Sequence, residues 1–570
     1  MSSENNPLDA VDMSPPPSAG SEAMSSYSLA TFIKLLEPQY ILILCSASTI
    51  IWLGAHGSLR RPPSAAPPKL KKGQKKREEE KFVEGLVASD AIRFPLLLGA
   101  VLVGLYYLIQ WLQDPAILNK ILRGYMSVFS IASVNTLAAD ALEILVSLVF
   151  PSMWADRDGR VYCIDPDRQC QYVMDPKTGK EAIIDGMETP LPGILSRLAA
   201  STESKRLAWE VRRVLREEYT FRIAVHNTTL VKLNLAVTNI LSFVVAALVA
   251  VAYHLTNWHP VSNLLSVAMC YAAFSMLSPT SFGIGTTVLW ALFVYDIVMV
   301  FYTPYMITVA TKIDAPIKLV FKGTTGSSML GLGDIVVPGM LMALALRYDL
   351  YQHYQRQIRL EPVDLTIETA PSPDSTTATT TTTTQSTRSV KTPYIPPNGQ
   401  WGNRFWTTPL GSLSPVSEAR EPIAATAFPK PYFYASLLGY AAGLLATLIV
   451  MLVTRRGQPA LLYLVPGVTG AVWITGLARR EVGEMWRYTE DGSLDVEDVV
   501  VEVDAEGRRV VEKKQQQQQG VEEGKEKRKE EDGRVEGKGD GQVEERKEVR
   551  RRPYELFSLS ITAPGPAPVA

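Results

Sequence analysis

The stretch "SSMLGLGDIVVPGMLMALALRYDL", Ser327 to Leu350, decides how this chain is read. From Ile335 onward it has the apolar run of a membrane-spanning helix. Yet Asp334, directly after Gly331-Leu332-Gly333, sits close to the middle of the span expected over 328–347. An ionised carboxylate at mid-bilayer costs about 2.5–3.5 kcal/mol on insertion scales. A chain that crosses hydrocarbon carries such a group only with a use or a partner.

The rest of the sequence has the same character. Its hydrophobic residues, 46% of 570, gather into blocks rather than spreading evenly. Each block is about 20 residues long, the length a helix needs to cross roughly 30 Å of hydrocarbon. Nine spans are expected, at 36–55, 93–112, 124–150, 233–254, 262–280, 284–304, 328–347, 432–453 and 459–478. The fold class this predicts is an all-α polytopic membrane protein with nine transmembrane helices and disordered loops and tail. Helices 1–7 fall within 36–350, and helices 8–9 within 431–480.

The connections set an orientation. Nine Lys or Arg lie between Arg60 and Lys81, which places that loop in the cytoplasm and the N-terminus (1–35, polar and disordered) in the lumen. With nine spans the C-terminus is cytosolic. Arg455, Arg456, Lys312, Lys318 and Lys322 oppose this assignment weakly. The loop 151–232 is then cytosolic, so the sequon at Asn227 is expected to carry no glycan. The Pro- and Thr-rich linker 351–430 and the charged tail 481–570, with Gln515 to Gln519, lack a hydrophobic pattern and are expected to be disordered. No cleavable signal peptide is expected at the start.

Four cysteines and five scattered histidines, with no H-E-x-x-H, leave a zinc metalloprotease unsupported. Cys163 and Cys170 share a polar loop with no histidine to complete a metal site. No metal or cofactor is expected, and nucleic acid is not among the expected partners.

Asp334 has a candidate partner in the preceding span, "LWALFVYDIVMVFYTP", where Asp296 follows Tyr295. No Lys or Arg lies in the interior of either span to neutralise the pair, so the two carboxylates are expected to face each other with water present. Two carboxylates in one site cannot both ionise cheaply, and they share a proton. One can then deprotonate a water attacking a peptide carbonyl while the other donates a hydrogen bond to the carbonyl oxygen. Gly331 and Gly333 give room for a substrate backbone, or serve as packing notches between helices. Tyr295 orients a carboxylate or simply packs. In "GQPALLYLVPG", Pro459 and Pro466 loosen the last span and leave acceptors for a substrate strand, or merely kink it. Asp140 and Glu143, three residues apart on one helix face, read as a polar seam more readily than as part of the site.

In this combination Tyr295-Asp296, Gly331-Leu332-Gly333-Asp334 and Gln458-Pro459-Ala460-Leu461 resemble the signal peptide peptidases, relatives of presenilin. Flanking words such as "FVYDIVMVFYTPYMITVATKIDAPIKLVF", "PYFYASLLGYAAGLL" and "ARREVGEMWRYTE" share the resemblance, which covers most of 90–350 and 430–490. It implies a nine-span fold, catalysis by Asp296 and Asp334, and Pro459, Ala460 and Leu461 as a substrate-supporting element. The implied substrates are type II transmembrane segments and remnant signal peptides in the endoplasmic reticulum membrane. A homo-oligomer or the degradation machinery of that compartment are further candidate partners. The competing readings are a transporter or channel using buried acids, and a non-catalytic scaffold for membrane proteins.

Overall fold

The structure, a computed structural model, describes residues 37–67, 84–368, 381–408 and 427–494, and the short stretches 500–503, 509–510 and 557–562. Within these, 113–114, 157–159, 167, 175–180, 184–187, 200, 217, 226–227, 257, 314, 323–326, 455–456 and 493 are excepted. Asn227, the N-terminal segment before residue 37, the Gln515–Gln519 run and most of the tail therefore lie outside the described residues.

The helices are α1 (Pro38–Gly57), α2 (Asp90–Leu112), α3 (Pro115–Val149), α4 (Thr202–Arg216), α5 (Val237–Thr256), α6 (His259–Met276) and α7 (Phe282–Phe301). They continue with α8 (Tyr305–Lys312), α9 (Gly333–Gln355), α10 (Trp401–Thr407), α11 (Pro431–Thr454), α12 (Leu461–Arg479) and α13 (Val482–Arg487). A helix thus lies over each expected span. Among the described residues, seven helices are by length and composition apolar enough to cross a membrane: α1, α2, α3, α5, α7, α11 and α12. Local chemistry sets several starts. Proline occupies the first turn of α1 and of α6, where its missing N–H has no helical partner to lose. Ser281 caps α7, its hydroxyl accepting the Ile284 N–H at 3.3 Å.

At the centre stands α9. Nearly every residue from Ile335 to Tyr354 is buried, against α1, α6, α7, α11 and α12. A helix enclosed on all sides needs no lipid-facing apolar stripe, which is why it tolerates Arg347, Asp349 and Gln352. The outer helices do the reverse: Leu96, Leu97, Trp111, Leu248, Leu438 and Leu477 are large apolar side chains left exposed. Such a surface suits hydrocarbon rather than water. α11 and α12 approach each other through glycine. A Cβ on Gly439 would lie 2.3 Å from the Gly467 carbonyl oxygen, and one on Gly443 would lie 2.7 Å from that of Tyr463. This is small-residue packing of the kind that lets membrane helices touch backbone to backbone.

Four expectations change. First, the chain is mostly helical but not all-α. The loop 151–232 holds an antiparallel four-stranded sheet, β2 (Met153–Ala155), β3 (Val161–Asp165), β4 (Cys170–Met174) and β5 (Glu181–Ile183). β-Branched and aromatic residues alternating between turn residues favour strands there, and Trp154 stacks on Tyr162 at 4.5 Å. β6 (Glu218–Val225) and β7 (Thr228–Ala236) follow as a hairpin. Second, the linker expected to lack structure carries the paired strands Arg359–Glu368 and Thr381–Val390, and the helix α10. Third, the span 262–280 ends early: Leu277–Pro279 leaves the helix as a strand, β8, parallel to β1 (Glu84–Leu86). Fourth, the span 328–347 does not begin as a helix. Ser327–Gly331 is a strand, β10, antiparallel to β9 (Lys318–Lys322), and α9 starts only at Gly333.

Candidate active site

That last shift relocates Asp334. It stands in the first turn of α9, not at its middle. Leu332 is the N-cap, its carbonyl accepting the N–H groups of Ile335 and Val336 at 3.1 and 2.8 Å. The Leu332 N–H is held by the carbonyl of Ile317 at 3.1 Å. The β9–β10 hairpin therefore delivers the chain to the head of a buried helix, with the carboxylate at the turn between the two. The flanking glycines play different parts. A Cβ on Gly331 would sit 3.3 Å from Asp334 Oδ2, whereas one on Gly333 would meet nothing within 4 Å. Neither is a notch for another helix. Gly331 leaves space for the carboxylate itself, and Gly333 faces open space.

Asp296 lies deep in α7, 4% exposed, within electrostatic reach of the half-buried Asp334. Its Oδ2 accepts the backbone N–H of Leu461 at 3.1 Å. Leu461 is the first residue of α12, where N–H groups have no partner within the helix and the dipole favours an anion. The Pro459-Ala460-Leu461 segment is thus brought to the aspartates, though not as the sequence suggested. The Pro459 carbonyl accepts the Leu462 N–H at 3.2 Å, and that of Ala460 accepts from Tyr463 and Leu464 at 3.2 and 3.1 Å. These acceptors are taken up by the first turn of α12, and what the segment offers the site is a donor.

Tyr295 packs toward α2, its ring 3.6 Å from where a Cβ on Gly99 would be. Asp140 is engaged elsewhere: it accepts the hydroxyl of Tyr271 and ties α3 to α6, the polar seam that was the simpler reading. Cys163 and Cys170 lie on the neighbouring strands β3 and β4. No cluster of three His, Cys, Asp or Glu able to hold a metal occurs among the described residues.

Sequence reasoning missed two features. One is Tyr440 of α11, fully buried, whose hydroxyl donates to the backbone carbonyl of Asp334 at 3.3 Å. The other is a polar hub at the far end of α9. There Arg347 pairs with Glu490 at 2.8 Å and donates to Ser278 and Ser58 at 2.6 and 2.9 Å, while Arg60 also pairs with Glu490. Two residues on, the Asp349 carboxylate accepts the N–H groups of Tyr432 and Phe433 at 3.3 and 3.0 Å, capping α11. The signal for the hub was available, since a charged Arg-Tyr-Asp ends an apolar run. The signal for Tyr440 was one tyrosine among 23.

A model of the signal peptide peptidase family matches residues 76–492, from before α2 to the Glu490 hub. The chain belongs to the signal peptide peptidase family. Within that family it is 26% identical to the signal peptide peptidase of Mus musculus over 446 residues, which are 76% of this chain and 82% of the relative. It is 25% identical to the Homo sapiens signal peptide peptidase over 422 residues, 72% of this chain and 76% of the relative. A probable intramembrane protease of Schizosaccharomyces pombe is 45% identical over a shorter stretch of 108 residues, covering 18% of this chain and 37% of that protein. No solved structure matches the chain.

Proposed function

We propose that this member of the signal peptide peptidase family is an intramembrane aspartyl endopeptidase, cleaving type II transmembrane segments and remnant signal peptides in the endoplasmic reticulum membrane. One observation carries the reading: Asp296 and Asp334 lie on the packed helices α7 and α9 within electrostatic reach of each other, with the head of α12 bonded to Asp296.

In the reaction one carboxylate takes a proton from water as its oxygen attacks the peptide carbonyl carbon. The other, protonated, donates to the carbonyl oxygen, giving a tetrahedral diol. On collapse the C–N bond breaks and the proton passes to the departing amine. The Leu461 N–H orients the Asp296 carboxyl throughout. The substrate enters unwound, because an intact helix hides its carbonyls in hydrogen bonds. β10 offers it a guide: one edge pairs with β9, among the described residues the other is unpaired, and the strand ends three residues before Asp334. An extended peptide added there runs toward the dyad.

The same reading takes α6 and α9 as membrane spans too, shielded from lipid by their neighbours, giving nine with the N-terminus lumenal and the C-terminus cytosolic. The basic stretch between Arg60 and Lys81 supports that orientation. Cleavage of a synthetic signal peptide by purified protein in detergent tests the proposal. Asp296→Ala and Asp334→Ala are each expected to abolish turnover while leaving the thermal melt in place. Near-normal turnover in either variant would refute the dyad.

A further inference from the structure

Residue 338 of α9 is proline, and its place in the helix has a defined consequence. In an α-helix the N–H of residue i donates to the carbonyl of residue i−4. The donor that would reach the Asp334 carbonyl is therefore the one that Pro338 lacks. The carbonyl of half-buried Asp334, deprived of its helical donor, is best satisfied by another. Tyr440 points its hydroxyl at that oxygen from α11, at 3.3 Å, with its ring fully buried. The same hydroxyl lies within electrostatic reach of the Asp334 side chain.

We propose that Tyr440 is a positioning residue for Asp334: its hydroxyl replaces the helical hydrogen bond removed by Pro338 and so fixes the backbone that aims the carboxylate. The assignment rests on the aspartyl-dyad reading above. Tyr440 touches no reacting atom; it acts through the peptide unit of Asp334. Two features support a dedicated arrangement over incidental packing. Phenylalanine would fill the same apolar volume, so the hydroxyl is the only part of the side chain that the helix core does not explain. In addition, α11 is bound to α9 a second time, through the Asp349 carboxylate and the N–H groups of Tyr432 and Phe433. The ring carrying the hydroxyl is thereby referenced to the helix it serves.

The test exploits the chemistry of the missing donor. Tyr440→Phe removes the hydroxyl and leaves the Asp334 carbonyl short of a partner. Loss of one such bond is expected to lower kcat about tenfold with KM within about twofold, because substrate binding is untouched. Pro338→Ala restores an N–H at position 338. In the double variant Tyr440→Phe/Pro338→Ala that N–H satisfies the carbonyl from within α9, so kcat is expected to return to within about threefold of wild type. Additive losses in the double variant would overturn the proposal, as would a Tyr440→Phe enzyme with unchanged kcat. Should Tyr440→Phe unfold, the melting temperature of the double variant serves instead: recovery supports the substituted bond, and further loss overturns it. Failure of the dyad reading is seen separately, as turnover surviving Asp334→Ala.

Discussion

The backbone N–H of Leu461 donates to Asp296 Oδ2 at 3.1 Å, joining residues 165 positions apart in sequence and binding the head of α12 to the C-terminal half of α7. A side-chain substitution at Leu461 cannot remove that donor unless the new residue is proline. Proline is well tolerated at the first position of a helix, but it disfavours the αR backbone that Ala460 adopts just before it. Leu461→Pro thus deletes the donor together with some strain at the helix start, which the melting temperature reads separately. A hydrogen bond to a charged group contributes about 1.5–3 kcal/mol. Leu461→Pro is therefore expected to lower kcat about 10- to 100-fold, with Leu461→Met close to wild type. Steady-state cleavage of a fluorogenic signal peptide distinguishes the two.

The two glycines before Asp334 predict a split. Alanine at 331 places its Cβ against the Asp334 carboxylate and displaces it; with Asp334 in the proposed catalytic role, small misplacements cost on the order of 100-fold in rate. Gly331→Ala should lower kcat accordingly. Alanine at 333 enters open space, so Gly333→Ala should keep the wild-type melting temperature and raise KM by intruding where a substrate backbone lies. If both variants lose kcat alike, the different surroundings of the two glycines have no functional meaning.

Gly439 makes the closest backbone approach between α11 and α12, and a methyl group there has nowhere to go. Gly439→Ala is expected to destabilise the protein by about 1–3 kcal/mol, the usual penalty of overpacking. A lowered melting temperature in detergent, measured by intrinsic fluorescence, would show it. Activity should fall as well, since forcing the helices apart moves the Leu461 N–H away from Asp296.

Acid sensitivity follows from Glu490. Burial alone would push its carboxyl up, but the Arg347 and Arg60 guanidiniums beside it hold it below the usual carboxylate range. The unfolded chain binds that proton more tightly than the folded protein does. The contact thus stabilises fully above about pH 4.3, the ordinary glutamate value, and its contribution is lost as pH falls through the depressed one. Glu490→Gln strands buried Arg347, at about 3–5 kcal/mol for a broken buried pair. The variant should melt lower than wild type at pH 7, and the gap should narrow on acidification below about pH 4. A gap that is constant with pH would rule out the ion pair as its source.

Most of the long helices were legible as apolar blocks of near-bilayer length, and Asp296 and Asp334 stood out because a carboxylate in such a block needs a reason. What eluded the sequence was placement along the element. Gly331-Leu332-Gly333 was read as the interior of a span, yet the chain up to Gly331 finds a strand partner in Lys318–Lys322, and pairing at a distance is invisible to a local hydrophobic count. The Pro459 segment was read as supplying acceptors because proline lacks a donor. The residue that matters is two positions later, where helix geometry turns an ordinary leucine N–H toward a carboxylate. Tyr440 and Arg347 act through partners 106 and 143 positions away, and no periodicity marks them.

The burial of α9 bears on how the protein is made. This helix carries Asp334, Arg347 and Asp349 and is not among those apolar enough to enter lipid on their own account. Asp349 is satisfied by N–H groups of α11, and Arg347 by Glu490, both emerging from the ribosome well after α9 does. The groups that satisfy the charges of α9 are therefore absent from the chain until α11 and the segment after α12 have been made. A chain truncated before residue 431 would then hold the two aspartates but no settled home for the second, and should be met by quality control rather than by substrate.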